Sequence, residues 1–292
     1  MIISAIIGGL GNQMFQYAMG RSLSIKCASS LHLDISEFEY YKLHQGFELR
    51  RVFNLAIPVA TETDIQRVLG WQSLPGVKKF LRLSEFSVLR RKEFISEPHF
   101  HYWAEVSDIP SSCYLAGYWQ SEKYFQSHIS AIRSDFTFAQ PLLGQNADIA
   151  KEISGVCAVS LHVRRGDYVS NSITKATHGV CSIDYYRAAI RHFSTNVLNP
   201  VFFIFSDDIQ WVKDNLKLES TCRYIDHNTG TDSFNDMRLM SLCAHHIIAN
   251  SSFSWWGAWL NPSPQKIVIA PQKWFASKVD TRDLIPDSWI LL

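Results

Sequence analysis

Long apolar runs are missing from this sequence. None approaches the roughly 20 residues that a helix needs to cross a bilayer. The start of the chain also lacks a basic segment followed by an apolar core and a cleavage site. The expected location is therefore the cytoplasm. Charge is scarce as well. Asp, Glu, Lys and Arg make up 19% of the residues and the formal net charge is +1, so no basic field coats the protein for nucleic acid. A single local anion site needs no such field. The six cysteines (Cys27, Cys113, Cys157, Cys181, Cys222 and Cys243) form no CxxC pair and stand far apart. That spacing suits neither a disulfide framework nor a zinc site, and reduced structural thiols are expected. There is no G-K-[ST], hence no Walker loop.

Apolar residues, by contrast, make up 47% of the chain, enough for a sizeable core. Nine tryptophans read first as large core residues, with sugar stacking as the alternative. Residues 2–7 form a β-branched strand, 8–12 a glycine loop, and 13–28 a helix with Met14, Phe15, Ala18 and Met19 on one face. Strands are expected at 31–34 and 113–117, whereas 35–110 shows few long periodic segments and is left as mixed structure. The stretch 138–155, with Pro141 and Gly144, reads as a junction. Beyond it, strands at 156–163, 201–205, 223–225, 246–249 and 266–270 alternate with helical segments, one capped by Ser182 and others at 233–243 and 255–260. This alternation implies an α/β protein with parallel sheets, whose ligands sit beyond the strands' carboxyl ends.

That rule selects a few polar loops. Arg164 and Arg165 follow the strand 156–163; adjacent guanidiniums there call for an anion, and a diphosphate fits their paired donors. A loop salt-bridged through Asp167 is the bland reading. Asn250, Ser251, Ser252, Phe253 and Ser254 open a helix, where free N–H groups and hydroxyls can cradle phosphate; plain N-capping by Ser252 or Ser254 is the alternative. Gly8, Gly9 and Gly11 leave room for a ligand's close approach, with the amides of Asn12 and Gln13 available for hydroxyl recognition. Asp207 and Asp208 are adjacent rather than spaced as D-x-D; a helix cap at Asp207 is the leading role, ribose or metal contact the others. Trp255 and Trp256 read as core, and His245 and His246 as structural.

The stretch Gly8-Gly9-Leu10-Gly11-Asn12-Gln13-Met14-Phe15-Gln16-Tyr17-Ala18, the stretch His162-Val163-Arg164-Arg165-Gly166-Asp167-Tyr168, and residues 239–261 together resemble the α-1,2-fucosyltransferases of glycosyltransferase family 11. The resemblance implies a GT-B-type architecture, two Rossmann-like halves with parallel sheets facing a cleft. It divides the chain into an acceptor side, 1–145, and a GDP-sugar side, 146–292. It implies GDP-β-L-fucose as donor, a terminal galactoside as acceptor, inversion to an α-1,2 linkage, and no metal or other cofactor. Arg164 inherits the diphosphate contact; His162, Arg165 and Asp167 are carried over as donor-site or supporting residues, and Ser251, Ser252 and Ser254 fall near the donor phosphates, while the loop reading adds Asp208, Asn250 and Phe253 to the donor site. Asn12 falls near the transfer point, beside Gln13 on the acceptor side, and Asp167 is the candidate base. A lipid-linked oligosaccharide in surface-polysaccharide synthesis is the expected acceptor, at the inner membrane face, where the run Arg90-Arg91-Lys92 allows a peripheral contact. A transferase of another nucleotide sugar, or a galactoside-binding lectin, are the rival readings.

Overall fold

The computed structural model describes residues 1–41, 44–166 and 179–292. Two units emerge. The first comprises Met1–Ala139 and Asp280–Leu284, the second Gln140–Val279 and Ile285–Leu292. The division falls at Ala139 and Gln140, within the junction 138–155 and six residues before the boundary expected at 145 and 146.

In the first unit, β1 (Ile2–Ala5) is buried at every position, as a strand covered on both faces must be. It stands between β2 (Leu31–Asp34) and β4 (Cys113–Ala116), with β3 (Phe94–Ser96) at the edge, giving the all-parallel order β2-β1-β4-β3. Helix α1 (Leu10–Lys26) starts three residues before its expected position, so Gly11, Asn12 and Gln13 lie in its first turn and not in a loop. The segment left as mixed contains β3 and the short helices α2 (Glu62–Leu69) and α3 (Pro75–Leu81). A capping box starts α2: Thr61 Oγ1 accepts from Asp64 N–H at 3.1 Å, and Asp64 Oδ2 accepts from Thr61 N–H at 3.0 Å. The segment Asp280–Leu284 is tied in by Asp283, which accepts from Tyr102 N–H at 3.0 Å and pairs with Lys123.

The second unit holds six parallel strands: β5 (Cys157–Val163), β6 (Pro200–Ser206), β7 (Cys222–Ile225), β8 (His245–Ile247), β9 (Val268–Ala270) and β10 (Ile290–Leu291), in the order β10-β9-β8-β5-β6-β7. The connection from β5 runs outward to β6, while β8 lies on β5's other side; β5 therefore marks the switch point. Helices α4 (Gly144–Ser154), α5 (Ile183–Asn196) and α6 (Ile209–Asn215) pack on strands of this sheet, and α7 (Phe234–Leu242) packs on α4 and on α8 (Ser252–Leu260), which follows β8. Ser182 caps α5 as expected, its Oγ accepting from Tyr185 N–H at 3.1 Å. Tyr186 and Phe193 of α5 then pack on Val159, Leu161 and Ile204 of the sheet. Trp255, Trp256 and Trp259 of α8 form a mutually packed aromatic group in the interior. His246 is fully buried between Ser160 Oγ at 2.9 Å and Asn261 Nδ2 at 3.0 Å, and desolvation holds its pKa well below the ordinary value. That is a structural histidine. All six cysteines are free.

Candidate active site

Three loops meet at the carboxyl ends of β6, β5 and β8. The apolar run of β5 ends on His162 and Val163, which places Arg164 just past the sheet edge. Its guanidinium Nη1 lies 3.0 Å from Asp207 Oδ2, each side chain retaining 24% exposure. Asp207 Oδ1 also accepts from the Arg165 backbone N–H at 2.8 Å. Arg165 turns the other way: its Nε lies 3.3 Å from Asp208 Oδ2, and its guanidinium stacks 3.7 Å from the Trp211 ring centroid. Within this unit the two cations are thus each matched by a carboxylate supplied by the loop after β6. The repulsion anticipated from their adjacency is relieved by divergence and by Asp207 and Asp208.

This arrangement corrects one expectation. The cap of α6 is Asp208, whose Oδ1 accepts from Trp211 N–H at 3.2 Å, and not Asp207. Asp207 is free to hold the Arg164 loop because its neighbour takes the cap. Asp208 in turn is engaged by both the helix start and Arg165, with its side chain 40% exposed. Trp211, stacked on Arg165, is a neighbour the sequence analysis does not name; the Asp208-to-Trp211 spacing, three residues at a helix start, is the available signal.

His162 is 4% exposed and, among the described residues, its Nδ1 has no hydrogen-bond partner. Burial pushes its pKa down to about 4; the Arg164 charge acts in the same direction and Asp207 opposes it. A neutral imidazole beside Arg164 follows. Its ring lies 5.9 Å from that of Phe253, which brings the end of β5 against the start of α8.

That helix opens at Ser252, with Ser251 at the cap position and no side-chain cap bond, so neither of the serines named as caps serves as one. Its first turn directs backbone N–H groups outward, an arrangement suited to an anion. Two residues expected at the donor are engaged elsewhere. Asn250 is buried; its Nδ2 donates to Trp274 O at 3.0 Å and Gly179 O at 3.4 Å, and its Oδ1 accepts from Cys181 Sγ. Ser254 is fully buried, with Oγ bonded to Ala249 O and Ser251 O. Both brace the turn on which Ser251, Ser252 and Phe253 sit. Asp167 lies outside the described residues.

Farther along the same sheet edge, after β7, lies a cavity of about 400 Å³ lined by Gln145, Asn146, His227, Asn228 and Asn235 among others. Asn228 Nδ2 donates to Asp236 at 2.8 Å, and burial pushes that carboxyl up to about 7.

In the first unit, the switch point falls between β1 and β4. Gly8 adopts φ +88°, but the space a side chain would fill is occupied by Asn12, whose Nδ2 would lie 2.9 Å from a Cβ there. The glycine therefore admits Asn12 and not a ligand. Asn12 Oδ1 accepts from Gln120 Nε2 at 2.8 Å, a partner no spacing rule announces. Gln13 is fully buried; its Nε2 donates to Gly8 O and Gly46 O, both at 2.8 Å, and its Oε1 accepts from Glu48 N–H at 2.9 Å. With both N–H donors used on the backbone, Gln13 braces the loop and is not an acceptor contact.

The family model "Glycosyl transferase family 11" matches residues 85–292 of this chain. An "alpha-1,2-colitosyltransferase" of Escherichia coli is 38% identical over 300 residues, covering 99% of this chain and 98% of that protein. The "O-antigen biosynthesis glycosyltransferase WbnK" of the same species is 35% identical over 305 residues, covering 99% of each. Among solved structures, the NodZ alpha-1,6-fucosyltransferase soaked with GDP-fucose superposes with a TM-score of 0.57 over 89% of this chain and 92% of that one, at 15% identity. At that identity the likeness shows the shared fold alone, an α/β fold of fucosyltransferases with parallel sheets.

Proposed function

The chain belongs to glycosyl transferase family 11, and from that premise we propose that it moves L-fucose from GDP-β-L-fucose to the 2-hydroxyl of a terminal galactose, with inversion. The observation that carries this reading is the Arg164 loop set beside the start of α8 at the sheet's switch point. In a single displacement the acceptor hydroxyl attacks C1 of the sugar as the bond to the diphosphate breaks, and negative charge grows on the leaving group. Arg164 and the N–H groups at Ser252 and Phe253 are the assigned stabilisers of that charge. Arg165, held by Asp208 and Trp211, supports the loop. The nucleoside end is assigned to the polar cavity after β7, two strand spacings or ~9.6 Å from β5. Asn12, oriented by Gln120, is assigned to the acceptor side, and Asp167 is retained as the base. The arginine supplies the positive charge that a metal would otherwise bring, so EDTA should leave turnover unchanged.

The acceptor is proposed to be a lipid-linked oligosaccharide of surface-polysaccharide synthesis, at the inner face of the cytoplasmic membrane; the "O-antigen biosynthesis" relative supports this. Colitose in place of fucose is a second reading, favoured by the 38% identity to a colitosyltransferase. The lectin reading is weakened, because Trp119, Trp255, Trp256, Trp259, Trp274 and Trp289 are buried, which leaves Trp71 as the strongly exposed one. The test is incubation with GDP-fucose and lactose, with NMR assignment of the product linkage, beside thermal shifts with GDP and UDP. An α-1,2-fucosyl product and a shift specific to GDP are expected. A GDP shift without transfer from GDP-fucose, followed by transfer from nucleotide-activated colitose, would move the assignment to the second reading. No GDP shift would remove the donor assignment itself.

A further inference from the structure

Residues 71–92 contain six basic side chains and one acidic one, a local charge of +5 in a chain whose total is +1. The same stretch exposes an unusual set of apolar side chains. Val88 is 88% exposed, Trp71 63%, Leu74 58%, Leu89 54%, Leu83 52% and Phe80 43%. Hydrogen bonds gather them into one knot. Gln72 Nε2 donates to Leu89 O at 2.8 Å, and Gln72 Oε1 accepts from Arg91 N–H at 3.1 Å, which ties the turn carrying Trp71 to the one carrying Val88 and Leu89. The Arg90 guanidinium donates to Leu81 O at 2.7 Å and Leu83 O at 3.0 Å, closing the end of α3 onto the same turn. Phe80 and Phe86 stack at 3.5 Å. From below, Lys78 anchors the knot through Asp34 at 2.9 Å. The inner side is thereby fixed, while the apolar side chains and Lys79 and Lys92 face water.

We propose that this knot docks the protein on the surface of an anionic phospholipid bilayer. Side chains as exposed as Val88 and Trp71 protrude, and a protein partner would need a matching cavity for each. The acyl boundary of a bilayer conforms to them. Tryptophan and phenylalanine with surrounding cations suit the headgroup level, where an anionic leaflet adds attraction for each lysine or arginine. Apolar patches of this kind on a soluble surface mark interaction sites. The inference deepens the proposal of a membrane-borne acceptor and rests on it for its purpose, though not for its evidence.

The test is co-sedimentation with vesicles of phosphatidylcholine alone and of phosphatidylcholine mixed one-to-one with phosphatidylglycerol. The unsubstituted chain should bind the anionic vesicles, and lose that binding in high salt and on neutral vesicles. The pair Trp71→Ser with Leu89→Ser should weaken binding by roughly tenfold or more. Lys79→Gln with Lys92→Gln should weaken it severalfold and flatten its salt dependence. Turnover on soluble lactose should be unchanged in both, which verifies folding and separates this proposal from that of the reaction. Failure of the unsubstituted chain to bind, or equal binding by the Trp71/Leu89 variant, overturns the proposal. So does a dimer in sedimentation velocity that the same variant abolishes, since the patch would then be covered by a second copy.

Discussion

Replacing Asp207 by asparagine should tighten the binding of GDP. The carboxylate holds Arg164 at 3.0 Å and the Arg165 N–H at 2.8 Å. Asparagine keeps an oxygen for the N–H and removes the charge facing the guanidinium. A diphosphate that takes Arg164 must compete with that ion pair, and the two side chains are each 24% exposed, so solvent screening limits the pair to about 0.5–1 kcal/mol. Relieving that competition should lower the Kd for GDP by roughly two- to fivefold. Withdrawing a like charge from beside the diphosphate acts in the same direction. Asp207→Ala also removes the acceptor for Arg165 N–H, frees the loop, and should weaken GDP instead. Isothermal titration at low salt decides between them, with UDP as control. Unchanged or weaker binding in Asp207→Asn would refute the reasoning, because Arg164 would then either not meet the diphosphate or need Asp207 while doing so.

Arg164→Ala removes two charge-assisted bonds to the leaving group, each worth about 1.5–3 kcal/mol, so kcat/KM should fall by ~10²–10⁴-fold with little change in Tm; an activity loss below threefold contradicts the assignment. Gly117→Ala would set a Cβ 2.5 Å from Glu97 Cβ and 2.9 Å from Trp119 Cε2, and urea unfolding should show a loss of about 1–3 kcal/mol. The pKa of His162, held by burial at about 4 in the folded chain against an ordinary 6.5, makes its contribution to stability complete above pH 6.5 and progressively lost as pH falls towards 4. Thermal unfolding from pH 7 to pH 4 should therefore be flatter for His162→Gln than for the unsubstituted chain; parallel profiles would count against a buried neutral imidazole.

The second unit was legible because its strands are continuous apolar runs and its helix starts carry recognisable caps. β5 and β6 pair over their whole lengths, and Ser182 caps α5 where its spacing said it would. The region 35–110 gave little, since β3 is three residues long and takes its stability from β4 rather than from its own pattern. A capping box at Thr61 and Asp64 is a local signal that this region does carry. The amides tell a different story. Gln13, in the first turn of α1, and Asn250, in the loop after β8, stand at the strand ends that the sheet rule selects, yet their polar atoms satisfy nearby backbone groups and one thiol. Sequence can place an amide in a site loop; it cannot tell whether that amide meets a ligand or the chain itself, because that depends on carbonyls left open by the fold. Arg164 and Arg165 show the same limit, since adjacency gave their charge but not the divergence imposed by Asp207, Asp208 and Trp211.

The path of the chain has a bearing on how the molecule is made. The first unit includes Asp280–Leu284, and Asp283 supplies contacts to Tyr102 and Lys123, residues synthesised some 160 to 180 positions earlier. The second unit then receives β10 from the residues that follow. On the ribosome neither unit can be completed in turn. The first must wait, with the backbone N–H of Tyr102 unmet by Asp283, until the chain has been extended past Asp283. The first unit therefore closes only once Asp280–Leu284 has been made, and a nascent chain stalled before Asp280 should remain open to protease at the turn around Tyr102.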